Sequence, residues 1–248
     1  MIITIFCSLK EASIYTVYAL VFNAVNHLLG SFYNGFQAFF GESLVKDSLE
    51  KTKKVFNLYE TFFFIVSFWF YSCAYVLIMP FMKIYTASMT DANYLQPLLG
   101  LLFCLVGLSN NLRRPCDVTI MAAGHYKQTQ WRSLLESIIN VIASIIFTIK
   151  IGFIGVLLGS LTSYSYRAVD IILYSNKHIL KRNFLFSISK ILFLTCIYIL
   201  LILILLQFNF SIQNYITWFI FAFICGGILG IPALIYFFYL KKKINIKK

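Results

Sequence analysis

Charge is what this sequence has least of. Asp, Glu, Lys and Arg together make up 12% of it, about half the share of an ordinary soluble domain. With hydrophobic residues at 60%, that scarcity excludes a conventional water-soluble globule. Histidine is equally sparse, at positions 27, 125 and 178 only, and the six cysteines are scattered without a CxxC spacing. No structural metal site or disulfide framework follows from such a set, so free thiols are expected, with no metal and no cofactor. GxSxG, HExxH and Walker-type loops are all missing. No catalytic residue is therefore assigned, and the chain is read as non-enzymatic. There is no Gly/Ser-rich linker and no soluble domain. The longest polar segment, residues 41–54, reads either as a short interfacial helix or as a solvated loop. Function must then sit in or beside a bilayer.

What the sequence does have is apolar runs, separated by short polar breaks. Crossing a hydrocarbon layer of ~30 Å takes about 20 such residues in a helix. Candidate spans fall near residues 12–38, 55–79, 95–112, 131–149, 151–175, 187–207 and 213–239. The fold class expected is all-α, a polytopic transmembrane helix bundle of about seven spans within a single domain. The first span is the least hydrophobic and the third the shortest. Met1 to Leu9 lead into Lys10 and Glu11 rather than a small-residue cleavage site, so the N-terminus is read as uncleaved.

A net charge of +12 raises the question of nucleic acid, but the distribution answers it differently. If the spans alternate, 17 of the 21 basic residues share one side, from Lys46, Lys51, Lys53 and Lys54 through Arg113, Arg114, Lys127, Arg132, Lys177, Lys181, Arg182 and Lys190 to the lysine tail. Lys10, Lys83 and Lys150 lie on the other side. The positive-inside bias makes the rich side cytoplasmic, with the N-terminus outside and the C-terminus inside. The partners expected are membrane lipids, and no nucleic acid.

Polar groups within the spans mark a protein interior or an aqueous path, since lipid does not satisfy them. In the first span Asn23, Asn26, His27, Gly30, Asn34 and Gln37 recur every three to four residues, which places them on one helical face. Two readings stand: a cavity wall that hydrogen-bonds a hydroxyl-rich or charged substrate, or interhelical hydrogen bonding. His27 is either a proton relay or a packed residue. In the fourth span Gln128, Arg132, Glu136, Asn140 and Ser144 follow at four-residue steps. Arg132 and Glu136 are placed to pair at i, i+4, with Glu136 roughly 13 Å deeper than Lys127. Arg167 and Asp170 form an i, i+3 pair in the fifth span. Asn57 and Glu60 stand near the cytoplasmic end of the second, where the carboxylate is expected to reach water. Arg113, Arg114 and Lys127 are read as interface tethers. Gly155 and Gly159 form a GxxxG pair that suits close helix packing. Gly226, Gly227, Gly230 and Pro232 mark a candidate bend.

Two stretches carry a family resemblance. SFYNGFQAFFGE at 31–42 and the run AAGHYKQTQWRSLLESIINVIASIIFTIKIGFIGVLLGSLTSYSYRAVDIILYSNK, which opens at Ala122, resemble Wzx-type polysaccharide flippases of the multidrug/oligosaccharidyl-lipid/polysaccharide exporter superfamily. The likeness covers roughly the segment 1–180, with a Gly-x-Tyr-Lys-x-x-Gln opening a helix and a GxxGVLLG turn as its most specific marks. It implies movement of undecaprenyl-diphosphate-linked oligosaccharide across a bacterial cytoplasmic membrane, by alternating access of two helical lobes around an often cationic cavity. It carries Arg132, Glu136, Arg167 and Asp170 as pathway residues. Family members are roughly twice this long and are built of two lobes, so the resemblance implies the C-terminal lobe, partnered by a separate N-terminal lobe or a second copy. Other readings are an exporter of small amphipathic or cationic compounds from the same superfamily and a non-transporting membrane remnant.

Overall fold

The computed structural model describes residues 7–46, 48–89, 92–207, 212 and 214–245. It is 88% helical with no strand among the described residues, an all-α bundle. The helices are α1 (Leu9–Lys46), α2 (Leu49–Tyr85), α3 (Pro97–Leu112), α4 (Arg114–Ala122), α5 (Tyr126–Ile151), α6 (Ile154–Tyr174), α7 (Leu185–Leu206) and α8 (Tyr215–Asn245). Five of them, α1, α2, α5, α7 and α8, contain stretches long and apolar enough to cross a membrane. The third and fifth expected spans fall outside that set. α3 has only 16 residues, and α6 spreads Ser163, Ser165, Arg167 and Asp170 through its second half.

Local chemistry sets the boundaries. Ser8 and Glu11 cap α1 reciprocally: the Ser8 amide donates to Glu11 Oε2 at 2.8 Å and the Glu11 amide to Ser8 Oγ at 3.3 Å, a capping box. Pro97 opens α3, where its missing N–H is no loss. Pro115 has no N–H to continue the ladder, and α3 gives way to α4 at Arg113. Gly152, at φ +76°, turns α5 into α6 within two residues, the tight hairpin expected there. The polar segment 41–54 is neither a separate helix nor a loop. α1 continues to Lys46 and α2 begins at Leu49, so the segment mostly extends the two helices.

α2 is the axis of the bundle. In its most apolar stretch 61% of residues are buried, against 11% for α5 and 17% for α7. One apolar cluster joins α2 to α1 and α3 through Tyr18, Phe22, Ile78 and Phe103. Another joins it to α7 and α8 through Phe64, Phe68, Tyr198 and Leu229. Toward the end where α1 meets α2, a third gathers Phe40, Phe56, Phe63 and Ile171. Gly155 and Gly159 of α6 back directly onto the Phe147, Thr148 and Ser144 positions of α5, with no room for a side chain. α8 is continuous through Pro232. Its Gly230 lies under the Trp69 ring, and its Gly226 carbonyl accepts from the Trp69 indole at 2.9 Å.

Candidate functional site

The polar stripe of α1 divides in two. Asn26 turns inward, where its Oδ1 accepts from the Tyr71 hydroxyl at 2.8 Å and from the Asn111 amide at 2.7 Å. Asn111 is wholly buried, so this part of the stripe is interhelical hydrogen bonding. Asn23, His27 and Asn34 are exposed, and Gln37 is half-buried. Among the described residues none of these four side chains has a hydrogen-bond partner. They form a polar face on a helix whose apolar stretch would otherwise suit lipid. Asn140 of α5 belongs with Asn26: its amide donates to Ser163 at 2.9 Å and to Ser160 at 3.3 Å on α6, which ties the hairpin together.

The charged residues are joined in one chain of contacts, differently from the intrahelical pairs expected. Arg132 does not pair with Glu136; it crosses to Asp170 of α6. Glu136 accepts instead from Arg113 at 2.7 Å and lies 3.5 Å from Arg167 Nε. An Arg placed before its acid at i, i+4 is the weaker orientation on a helix, and the α5–α6 hairpin offers each group a closer partner across it. The Arg167–Asp170 pair forms as expected, at 2.9 Å. Arg167 Nη2 also donates to Ser133 Oγ at 2.8 Å. Asp117 of α4 extends the chain, 3.8 Å from Arg113. Tyr164 and Tyr174 support the guanidinium groups of Arg113 and Arg132, at 5.6 and 5.0 Å from their ring centroids.

Three guanidinium groups thus meet three carboxylates, a charge-balanced network rather than a free cationic patch. It borders a cavity of about 410 Å³ lined by Tyr33 of α1, Arg113 and Asp117, Ser133 and Glu136, and Arg167. Burial pushes the Asp117 carboxyl up to about 6, against the opposing pull of Arg113 and Arg167. Arg114, next in the chain, is a cation outside the network. It lies 5.9 Å from the Tyr33 ring centroid, and its buried Nη1 has no hydrogen-bond partner among the described residues. Gly30 leaves the space beside it: a side chain there would begin 3.7 Å from that nitrogen.

A second cluster corrects the reading of Glu60. Its carboxylate is wholly buried rather than wetted, and accepts from Arg182 at 2.7 Å, Lys190 at 2.6 Å and Ser187 at 2.6 Å. Lys190 also donates to Asn57 Oδ1 at 2.7 Å. This cluster fastens α2 to the start of α7. Arg113 and Arg114 are half-buried, Arg113 within the ion network and Arg114 against Tyr33, whereas Lys127 is exposed. The sequence signal for these partners was present only as polar residues at the margins of apolar runs, with nothing to say which would meet. Among the described residues no His, Cys, Asp and Glu group is arranged to hold a metal ion, and the cysteines are free.

No protein-family model matches the chain, and no curated protein or solved structure matches it either.

Proposed function

We propose that the chain is one lobe of a membrane transporter that moves undecaprenyl-diphosphate-linked oligosaccharide across a bacterial cytoplasmic membrane, with its lysine tail in the cytoplasm. The observation that carries this reading is the ion network on the wall of the 410 Å³ cavity, to which α1 contributes Tyr33. Ionisable groups inside an apolar bundle are costly unless they serve a path or hold the structure. Here they sit beside open space, with Arg114 outside any ion pair among the described residues and set against Tyr33 of the same wall. The pairing across α4, α5 and α6 also suits a two-state element: carboxylates that hold the arginines when the path is empty can be exchanged for phosphate oxygens, which accept the same forked donors. A second lobe, from another chain or a second copy, completes the path against Asn23, His27 and Asn34.

The charge balance favours a second reading, an exporter of small amphipathic or cationic compounds, because a network with no excess cation does not by itself select a diphosphate. Replacing Arg132 and Arg167 with alanine in cells that depend on the chain separates the two. The flippase reading expects loss of surface polysaccharide with accumulation of its lipid-linked precursor. Unchanged polysaccharide together with new drug sensitivity overturns it in favour of the exporter.

A further inference from the structure

The turn that follows α6 holds a second cavity, which the sequence did not suggest. Residues Ser175–Ile179 form a π-helical turn, closed by a hydrogen bond from the Leu180 amide to the Ser175 carbonyl at 2.9 Å and from the Arg182 amide to the Asn176 carbonyl at 3.0 Å. Asn176 is wholly buried, donating to the Ile172 carbonyl at 2.7 Å and accepting from Arg182. Lys181 is the one non-glycine residue among those described with a positive φ, at 46°. That conformation costs of order 1 kcal/mol and persists only where its surroundings impose it. The turn is therefore built, not slack.

Around it lies a cavity of about 630 Å³ lined by Arg132, Lys177, His178, Lys181 and Arg182, with Asp170 the only carboxylate among the described residues that line it. Asp170 is already engaged by Arg132 and Arg167, and Arg182 is fixed by Glu60 and Asn176. Lys177 and Lys181 are exposed and have no ion-pair partner among the described residues. Immediately beyond them Phe184, Leu185 and Phe186 are exposed at 37%, 55% and 62%. Lysines over an apolar step of this kind fit the boundary between headgroups and acyl chains, where long cationic side chains and aromatic rings both settle.

We infer that this cavity binds the phosphate of an anionic membrane lipid, with Lys177 and Lys181 as its mobile donors and Arg182 as its fixed one. A phosphate between them gives Lys177 and Lys181 the anion they lack among the described residues, while the lipid's chains lie along Phe184–Phe186. The site needs the membrane but not transport: it stands if the chain moves nothing.

The test measures the melting temperature of the purified chain in detergent as phosphatidylglycerol, phosphatidylcholine or inorganic pyrophosphate is added. Phosphatidylglycerol is expected to stabilise the wild type. K177A/K181A should shift the half-effective concentration upward about tenfold, since each basic residue near an anionic lipid contributes a few-fold. K54A/K127A removes the same charge from exposed positions on other elements of the chain and should leave the curve in place. Equal shifts in both double variants would reduce the effect to diffuse attraction, and no response of the wild type would remove the site. Full stabilisation by pyrophosphate at the same concentration, without lipid, would overturn the lipid assignment in favour of a soluble phosphate.

Discussion

Glu60 and Arg182, 122 positions apart in the chain, meet at 2.7 Å with the carboxylate wholly buried. Lys190 closes the cluster from α7. Removing one member of a buried ion cluster leaves the others charged and unsolvated, which costs about 3–5 kcal/mol. E60L should therefore lower the melting temperature of the detergent-solubilised protein sharply, whereas E60L/R182L/K190L, which removes all three charges, should recover most of the loss. A single variant that melts like the wild type would show that the cluster is wet.

Asp117 gives a pH dependence of defined sign. Its carboxyl is raised from 3.8 to about 6 in the folded chain, chiefly by burial, with Arg113, Arg167 and Arg114 pulling it down and Glu136 pushing it up. Between these values the folded state holds a proton that the unfolded state has lost, so stability falls as pH rises from about 4 to 6. D117N should flatten that part of the stability curve and be no less stable than the wild type at pH 8. A D117N curve that keeps the wild-type slope from pH 4 to 6 would place the titration elsewhere.

The α5–α6 hairpin depends on the absence of side chains at Gly155 and Gly159, which face backbone atoms of Phe147, Thr148 and Ser144. Forcing a larger residue into such a contact costs about 1–3 kcal/mol or separates the helices. G159L should lower the melting temperature and also weaken the Arg132–Asp170 link that spans the hairpin. G35L on α1, where nothing among the described residues lies within 4 Å of an added Cβ, should be tolerated on packing grounds. Equal tolerance of both would show that the α5–α6 contact has room for a side chain.

Much of the bundle was legible because helix length and hydropathy are local properties. The expected spans overlap the observed helices, and spacing alone groups the polar residues of α1 into a stripe without saying which of them turn inward. The partners were not legible. Helical spacing sets Arg132 beside Glu136, but the hairpin brings Asp170 of α6 nearer, and only the fold supplies that distance. Glu60 looked like a carboxylate close enough to the surface to be wet because its cations, Arg182 and Lys190, lie more than a hundred residues later. Asn26 and Asn23 look alike in the pattern, yet one faces Tyr71 and Asn111 while the other is exposed.

A flippase changes which leaflet holds the lipid-linked oligosaccharide. In cells depleted of the chain, the fraction of that precursor open to a membrane-impermeant periodate probe from outside measures it directly. The accessible fraction is expected to fall while the total rises, with both restored by wild-type protein but not by R132A/R167A. An accessible fraction unchanged by depletion would contradict it.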